Sequence, residues 1–272
     1  MLRSRITPCL LIRNKGLVKT VNFKNDKYVG DPINAVRIFN EKEADELIVL
    51  DIDATAEKRD PDFKTIEHLA AECRMPLCYG GGIDTMDQAL KILGLGVEKI
   101  AISSSAVRRP QFVTELASTI GRQSVVVVLD VNRDVKRGKY EVFTHNGRNN
   151  TGKCPEEMAQ QMEQCGVGEI VINAICNDGV MKGYDFELVE KIRNCVSVPL
   201  TALGGAGSIK DIAQLITRFG IIGAAAGSLF VFKGIYRAVL ISYPGVAEKE
   251  AMIQRCRMAW CSADPVTYSV EA

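Results

Sequence analysis

The residues best suited to holding an anion in this chain of 272 residues sit in two glycine turns, Met75-Pro-Leu-Cys-Tyr-Gly-Gly-Gly82 and Val198-Pro-Leu-Thr-Ala-Leu-Gly-Gly-Ala-Gly207. Each runs a short apolar stretch after a proline into glycines, then into the polar opening of an amphipathic segment. Without side chains, the N–H groups of such a turn approach a phosphate closely, and a following helix N-terminus adds a favourable dipole. Between the two turns, Asp130 ends the apolar run that begins at Val125. A carboxylate there is a general acid/base or a ligand for a loop amide. Its place midway between two anion sites favours proton transfer.

These residues recur at a fixed interval. Pro76 and Pro199, Gly81 and Gly204, Gly82 and Gly205, Glu46 and Glu169, and Ser105 and Ser228 are each 123 positions apart. Five coincident spacings predict two copies of a half-domain. Strands are expected over 6–12, 47–52, 76–78, 100–103, 124–130, 169–173, 199–202 and 222–225. Helices are expected over 32–39, 62–73, 84–93, 110–120, from 155, over 186–192 and 209–219, with the last around 235–239 or 247–253. The segment 13–30 reads as a long polar connection of the functional-loop kind, and Tyr140–Thr144 as part of a hairpin in an excursion to Gly152. Eight right-handed βα units built from two equal halves predict a (β/α)8 TIM barrel over residues 1–253. A doubly wound sheet is the runner-up. Residues 254–272, lacking a clear period, are expected to form a loosely ordered tail.

Composition narrows the class. With 47% apolar residues the chain buries a full core, and 34 Lys+Arg against 33 Asp+Glu gives a net charge of +1. No basic tract with interleaved aromatics points to nucleic acid, and no apolar run approaches a membrane span. The nine cysteines are scattered without a CxxC, which suits reduced thiols in a cytoplasmic protein. No His/Cys/Asp cluster has metal-ligand spacing, so neither a metal nor a cofactor is expected. His68 and His145 read as solvated.

In such a barrel the site lies where the strands end. Gly82 with Ser103 and Ser104 would form one phosphate cradle, and Asp178-Gly179, Gly205, Gly227 and Ser228 the other. Asp51, Gly81 and Gly204 stand at the same strand ends. Duplication puts the cradles on opposite sides of the mouth, where a ligand with a phosphate at each end would span them. The half-barrel counterpart of Asp130 is Leu11, which is apolar. At the opposite rim Arg5, Glu46, Lys99 and Glu169 each open a strand. They form either a paired plug of alternating charge or an ordinary solvated rim.

With those residues laid out, the chain resembles the cyclase subunit of imidazole glycerol phosphate synthase from Met1 to about Ile253. The resemblance rests on Ile6-Thr-Pro-Cys-Leu10, Val18-Lys-Thr-Val-Asn-Phe23, Gly30-Asp-Pro32, Gly80-Gly-Gly-Ile83, Val126–Asp130, Asn150-Thr-Gly152, Gly183-Tyr-Asp185 and Gly204-Gly-Ala-Gly207, among others. It implies a barrel that docks a HisH-type glutaminase on its N-terminal face. Ammonia then passes along the axis to a bisphosphorylated aminoimidazole carboxamide ribonucleotide at the top. The family's charged gate falls on Arg5, Glu46, Lys99 and Glu169. Its mobile-loop lysine falls on Lys19, its phosphate contacts on the two cradles, and one catalytic aspartate on Asp130.

The other catalytic aspartate falls on Leu11. A leucine transfers no proton, and losing one acid/base group costs ~10²–10⁴-fold in rate. Ser103 stands where the family has asparagine, Ala101 where it has serine, and Gly227 where it has alanine. A nearer resemblance is to second copies of this subunit associated with amidation of surface-polysaccharide sugars. That resemblance implies an ammonia-handling subunit working with a glutaminase and a separate sugar amidotransferase. The alternatives are a competent cyclase of histidine biosynthesis and a non-catalytic scaffold that activates the glutaminase.

Overall fold

The computed structural model describes residues 3–134 and 138–263, with the side chains of 262 and 263 left aside. β1 (Arg5–Arg13) leads into an antiparallel pair, β2 (Gly16–Val21) and β3 (Lys24–Gly30). The first half-barrel continues with α1 (Pro32–Glu41), β4 (Leu47–Asp51), α2 (Phe63–Glu72), β5 (Leu77–Gly80), α3 (Met86–Gly94), β6 (Lys99–Ile102), α4 (Ser104–Arg108) and α5 (Gln111–Ile120). The second opens in the same way. β7 (Val125–Asp134) is followed by antiparallel β8 (Lys139–Thr144) and the short β9 (Asn149–Asn150). Then come α6 (Pro155–Gln164), β10 (Glu169–Ala174), α7 (Phe186–Arg193), β11 (Leu200–Leu203), α8 (Ile209–Phe219), β12 (Gly223–Ala226) and α9 (Ser228–Val231). A small hairpin, β13 (Phe232–Lys233) with β14 (Ala238–Val239), and the helix α10 (Val246–Ala263) complete the chain.

Parallel pairing runs β1–β4–β5–β6–β7–β10–β11–β12 and returns to β1, which closes an eight-stranded barrel with helices between the strands. The doubly wound alternative is therefore excluded. The repeat is written into the helix caps. Asp62 caps α2 by accepting from Thr65 N, and Asp185, 123 positions on, caps α7 by accepting from Leu188 N. The reciprocal capping boxes Thr85–Gln88 and Ser208–Asp211 keep the same interval. Each such cap satisfies backbone donors left orphaned at a helix start. The interval slips by one in the final unit, where β6 and β12 start 124 positions apart.

Alternation along the strands separates two cores. On β7 the side chains of Val125, Val127, Leu129 and Val131 pack outward against the helices. Val126 and Val128 point inward and join Cys9, Ile48, Cys78, Ala101, Val171, Leu203 and Ala225 around the axis. Small Cys and Ala side chains thus line part of a barrel interior that branched residues commonly fill.

Three expectations change. The segment 13–30 is a paired two-stranded extension rather than a polar loop, with β2 seated antiparallel on β1 through Leu11↔Val18 and Arg13↔Gly16. The 235–239 stretch belongs to the β13–β14 hairpin, which leaves the last helix to α10. That helix continues past residue 253, so the tail does not begin there; residues 264–272 lie outside the described residues. Tertiary contacts hold α10 where its weak periodicity could not show it. Buried Lys249 donates to Asp45 Oδ1 at 2.6 Å and to Glu43 O at 3.1 Å, and Trp260 lies against Gly220.

Candidate functional site

A cavity opens at the carboxyl ends of the barrel strands, with an empty volume of about 910 Å³. Among the expected residues, Lys19, Asp51, Gly81, Gly82, Ser103, Ser104, Asp130, Asp178 and Gly227 line it. Leu11 also faces it, from β1. Gly179, Gly204, Gly205 and Ser228 do not line it. Gly179 is held instead by close backbone packing, since a Cβ there would overlap Thr20 O. His145 sits on the turn after β8, half-buried, its N–H donating to Ser104 Oγ at 3.1 Å.

Three carboxylates reach the cavity, and two are already engaged. Asp51 Oδ1 accepts from the backbone N–H groups of Asp53 and Ala54, both at 3.1 Å, and so caps the turn after β4. Asp178 accepts from Thr20 Oγ1 at 2.9 Å, and burial pushes its carboxyl above the ordinary range. Asp130 keeps one partner, the Asn173 amide, whose Nδ2 donates to Oδ1 at 2.9 Å. Burial raises the Asp130 carboxyl to about 7, opposed by the Asn173 hydrogen bond and reinforced by Asp178. Among the described residues the acids lining the cavity are Asp51, Asp130 and Asp178, and β1 carries none.

Lys19 is drawn inward rather than extended on a loop. Its Nζ donates to Cys9 O at 2.6 Å, and burial lowers its affinity for a proton. The ammonium lies beside Gly227, where a Cβ would collide with it, so glycine at that position makes room for the lysine. Lys19 thereby sits against the second cradle at Gly227, and the cavity meets that cradle through Gly227 and Asp178 only.

The opposite rim is a closed ion-pair network. Lys99 Nζ lies 2.6 Å from Glu46 and 3.0 Å from Glu169, and Arg5 lies 3.1 Å from Glu46 and 2.7 Å from Glu169. Thr201 Oγ1 adds a 2.6 Å hydrogen bond to Glu169. Both glutamates are buried. Burial would raise each, but Arg5, Lys99 and Thr201 together hold Glu169 below the usual carboxylate range. Glu46, without a donor such as Thr201 and repelled by Glu169, stays above it. The plug geometry is thus the one observed. The Cys9 and Cys78 thiols on the axis are also pushed up by burial, Cys9 to about 12, so they stay uncharged.

Asn173, Thr20, Phe23, Thr55 and Asn146 also line the cavity and were not singled out from the sequence. Asn173 carried a usable signal. It follows the apolar run Ile170–Ile172 of its strand, as Asp130 follows the run Val125–Leu129. Among the described residues no group of three His, Cys, Asp or Glu side chains is placed to hold a metal ion. No described helix is long and apolar enough to cross a membrane.

The Asp130 titration has a consequence for stability. An unfolded aspartate titrates near 3.8 and the folded one near 7, so between those values the folded chain keeps a proton that the unfolded chain has lost. Raising the pH through that window therefore destabilises the fold. The full shift corresponds to roughly 4 kcal/mol in a dry site, and less with water in the mouth. Asp130→Asn is expected to remove this loss and to unfold at higher urea concentration above pH 7, with little difference below pH 4. Urea melts at several pH values check it.

A duplicated (β/α)8 barrel with a polar mouth and a charged plug at its base defines the class, and the comparisons define the family. The family model described as "Histidine biosynthesis protein" matches residues 5–236. A Vibrio vulnificus protein named "Putative imidazole glycerol phosphate synthase subunit hisF3" is 56% identical over 254 residues, covering 93% of this chain and 98% of its own length. A Leptospira interrogans protein named "Putative imidazole glycerol phosphate synthase subunit HisF" is 54% identical over 252 residues, 93% of this chain and 99% of its own. The Alkaliphilus metalliredigens "Imidazole glycerol phosphate synthase subunit HisF" is 38% identical over 235 residues, 86% and 93%. The chain belongs to the HisF-type family of imidazole glycerol phosphate synthase subunits.

Proposed function

We propose that this chain is the ammonia-receiving synthase-type subunit of a glutamine-dependent amidotransferase, serving amidation of a surface-polysaccharide sugar. A HisH-type glutaminase docks on the N-terminal face, over Arg5, Glu46, Lys99 and Glu169. Neutral ammonia, unlike ammonium, crosses the apolar axis past Cys9, Cys78, Ala101 and Val126 without a large desolvation cost. At the mouth a phosphorylated ligand is held by Gly81, Gly82, Ser103 and Ser104 on one side. Lys19, Asp178 and Gly227 hold it on the other. Asp130 accepts a hydrogen bond from the arriving ammonia, and a separate amidotransferase takes that ammonia onward and forms the carbon–nitrogen bond on the sugar.

The observation that carries this reading is Leu11. With leucine at position 11, β1 brings no acid to the cavity to face Asp130, where ring closure and cleavage need two on opposite faces; Asp51 is held by turn amides and Asp178 by Thr20. The test is turnover of the purified chain given ammonium and the bisphosphorylated aminoimidazole carboxamide ribonucleotide. Slow turnover is expected. Family-level turnover would overturn the reading and establish a competent cyclase. The observation favouring that second reading is the Lys19 ammonium, which stands inside the cavity with its proton loosened by burial.

A further inference from the structure

One buried atom at the mouth lacks a partner. Asn173 is 4% exposed, and its Oδ1 has no hydrogen-bond donor; it is the one such buried side-chain atom among the described residues. Leaving an acceptor unpaired in a dry place costs about 1–3 kcal/mol. The Nδ2 donates to Asp130 Oδ1 at 2.9 Å, and once Asp130 is ionised, above its midpoint near 7, turning the amide over would set its oxygen against the carboxylate.

Nothing resident supplies the missing donor. Asn173 pairs across the sheet with Asp130 on β7 and Leu203 on β11. Below it along the axis lie Val128, Val171 and Cys9. The Lys19 ammonium is turned to Cys9 O, and the Thr20 hydroxyl to Asp178. On the Gly204 side a side chain would begin only 3.1 Å from the oxygen, and the glycine leaves that approach clear.

The geometry points to Asn173 Oδ1 and the Asp130 carboxylate as a seat for ammonia where the barrel axis meets the cavity. This deepens the proposed function and rests on it for the route by which ammonia arrives. With Asp130 ionised the seat offers two acceptors, the amide oxygen and the carboxylate. Ammonia brings three N–H donors and a single lone pair. One N–H bonds to Asn173 Oδ1 and a second to Asp130, leaving the lone pair free for an electrophile held above. Water can satisfy the same two acceptors, so ammonia takes the seat in competition with it. Asn173 acts here as a positioning residue for the nitrogen nucleophile as well as for the acid.

The test reads Asp130 directly, by carbon NMR of labelled aspartate carboxyls, with Asp130→Asn supplying the assignment. The titratable groups facing the pair are Asp178, Lys19 and Cys9. Ammonium chloride supplies mostly the cation near pH 7, an N–H donor standing in for ammonia, and compared with potassium chloride at equal ionic strength it is expected to lower the Asp130 midpoint from about 7 by about one pH unit, because the bound donor favours the ionised form. No shift, or an equal shift with potassium, overturns the seat. Asn173→Leu is expected to raise the midpoint and abolish the ammonium response. A raised midpoint with the response intact would leave Asn173 merely orienting Asp130, and would also overturn it. Asn173→Ser gives the same reading should the leucine variant fail to fold. No glutaminase or acceptor is in the tube, so failure here leaves the amidotransferase reading standing on its own test.

Discussion

Leu11→Asp is expected to raise turnover of the bisphosphorylated ribonucleotide with ammonium by ~10²–10⁴-fold over the unaltered chain, the usual worth of a positioned acid or base. The new carboxylate would have room and a counterpart. Leu11 lies on β1 between Leu50 of β4 and Val18 of β2, and its side chain faces the cavity that Asp130 enters from β7. Solvent in the mouth keeps the added charge from the full cost of burial. An initial-rate assay of both proteins decides the matter. A gain would show that the barrel still holds the substrate in register and lacks only a proton donor. No gain, with the variant folded, would mean that the cradles no longer fit that ligand, and the polysaccharide reading would then need a different phosphorylated occupant.

The second large effect is at the base. Lys99→Met removes the cation between Glu46 and Glu169 and leaves Arg5 alone to balance two buried carboxylates. Breaking one member of a buried network costs about 3–5 kcal/mol, because the remaining charge stays desolvated. The sign with pH follows from Glu46, whose carboxyl already sits above its usual range through burial and Glu169. Without Lys99 it rises further, so the variant is least damaged at low pH, where Glu46 takes a proton, and most damaged once that proton is lost. Urea melts across pH check this. Adding Glu46→Gln should restore much of the loss, and a double-mutant cycle measures the coupling. In complex with a glutaminase, the same variant should let glutamine-derived nitrogen exchange with bulk ammonium. A scaffold that carries no ammonia would show no such exchange.

Much of the fold was legible because local chemistry repeats. Helix 209–219 is legible to its end residues, and the 123-residue interval extends into helix caps and capping boxes. The same repeat could have exposed β2 and β3, since the hairpin recognised after β7 has its counterpart after β1. The polar residues Lys15, Lys19, Asn25 and Asp26 concealed it: β3 is a mostly exposed edge, whose residues carry little hydrophobic alternation.

The sequence by itself determined the barrel, its duplication, the charges at its base and the apolar residue facing Asp130, because each depends on residue type at a strand position. Only tertiary structure decided that Asp51 and Asp178 are engaged, that Lys19 folds onto Gly227, and that Asn173 leaves an oxygen unpaired. Those facts depend on which atoms from distant segments come within hydrogen-bonding reach, as Thr20 meets Asp178 and Lys19 meets Cys9. Spacing along a chain fixes the face a side chain points to, but not the partner it finds there.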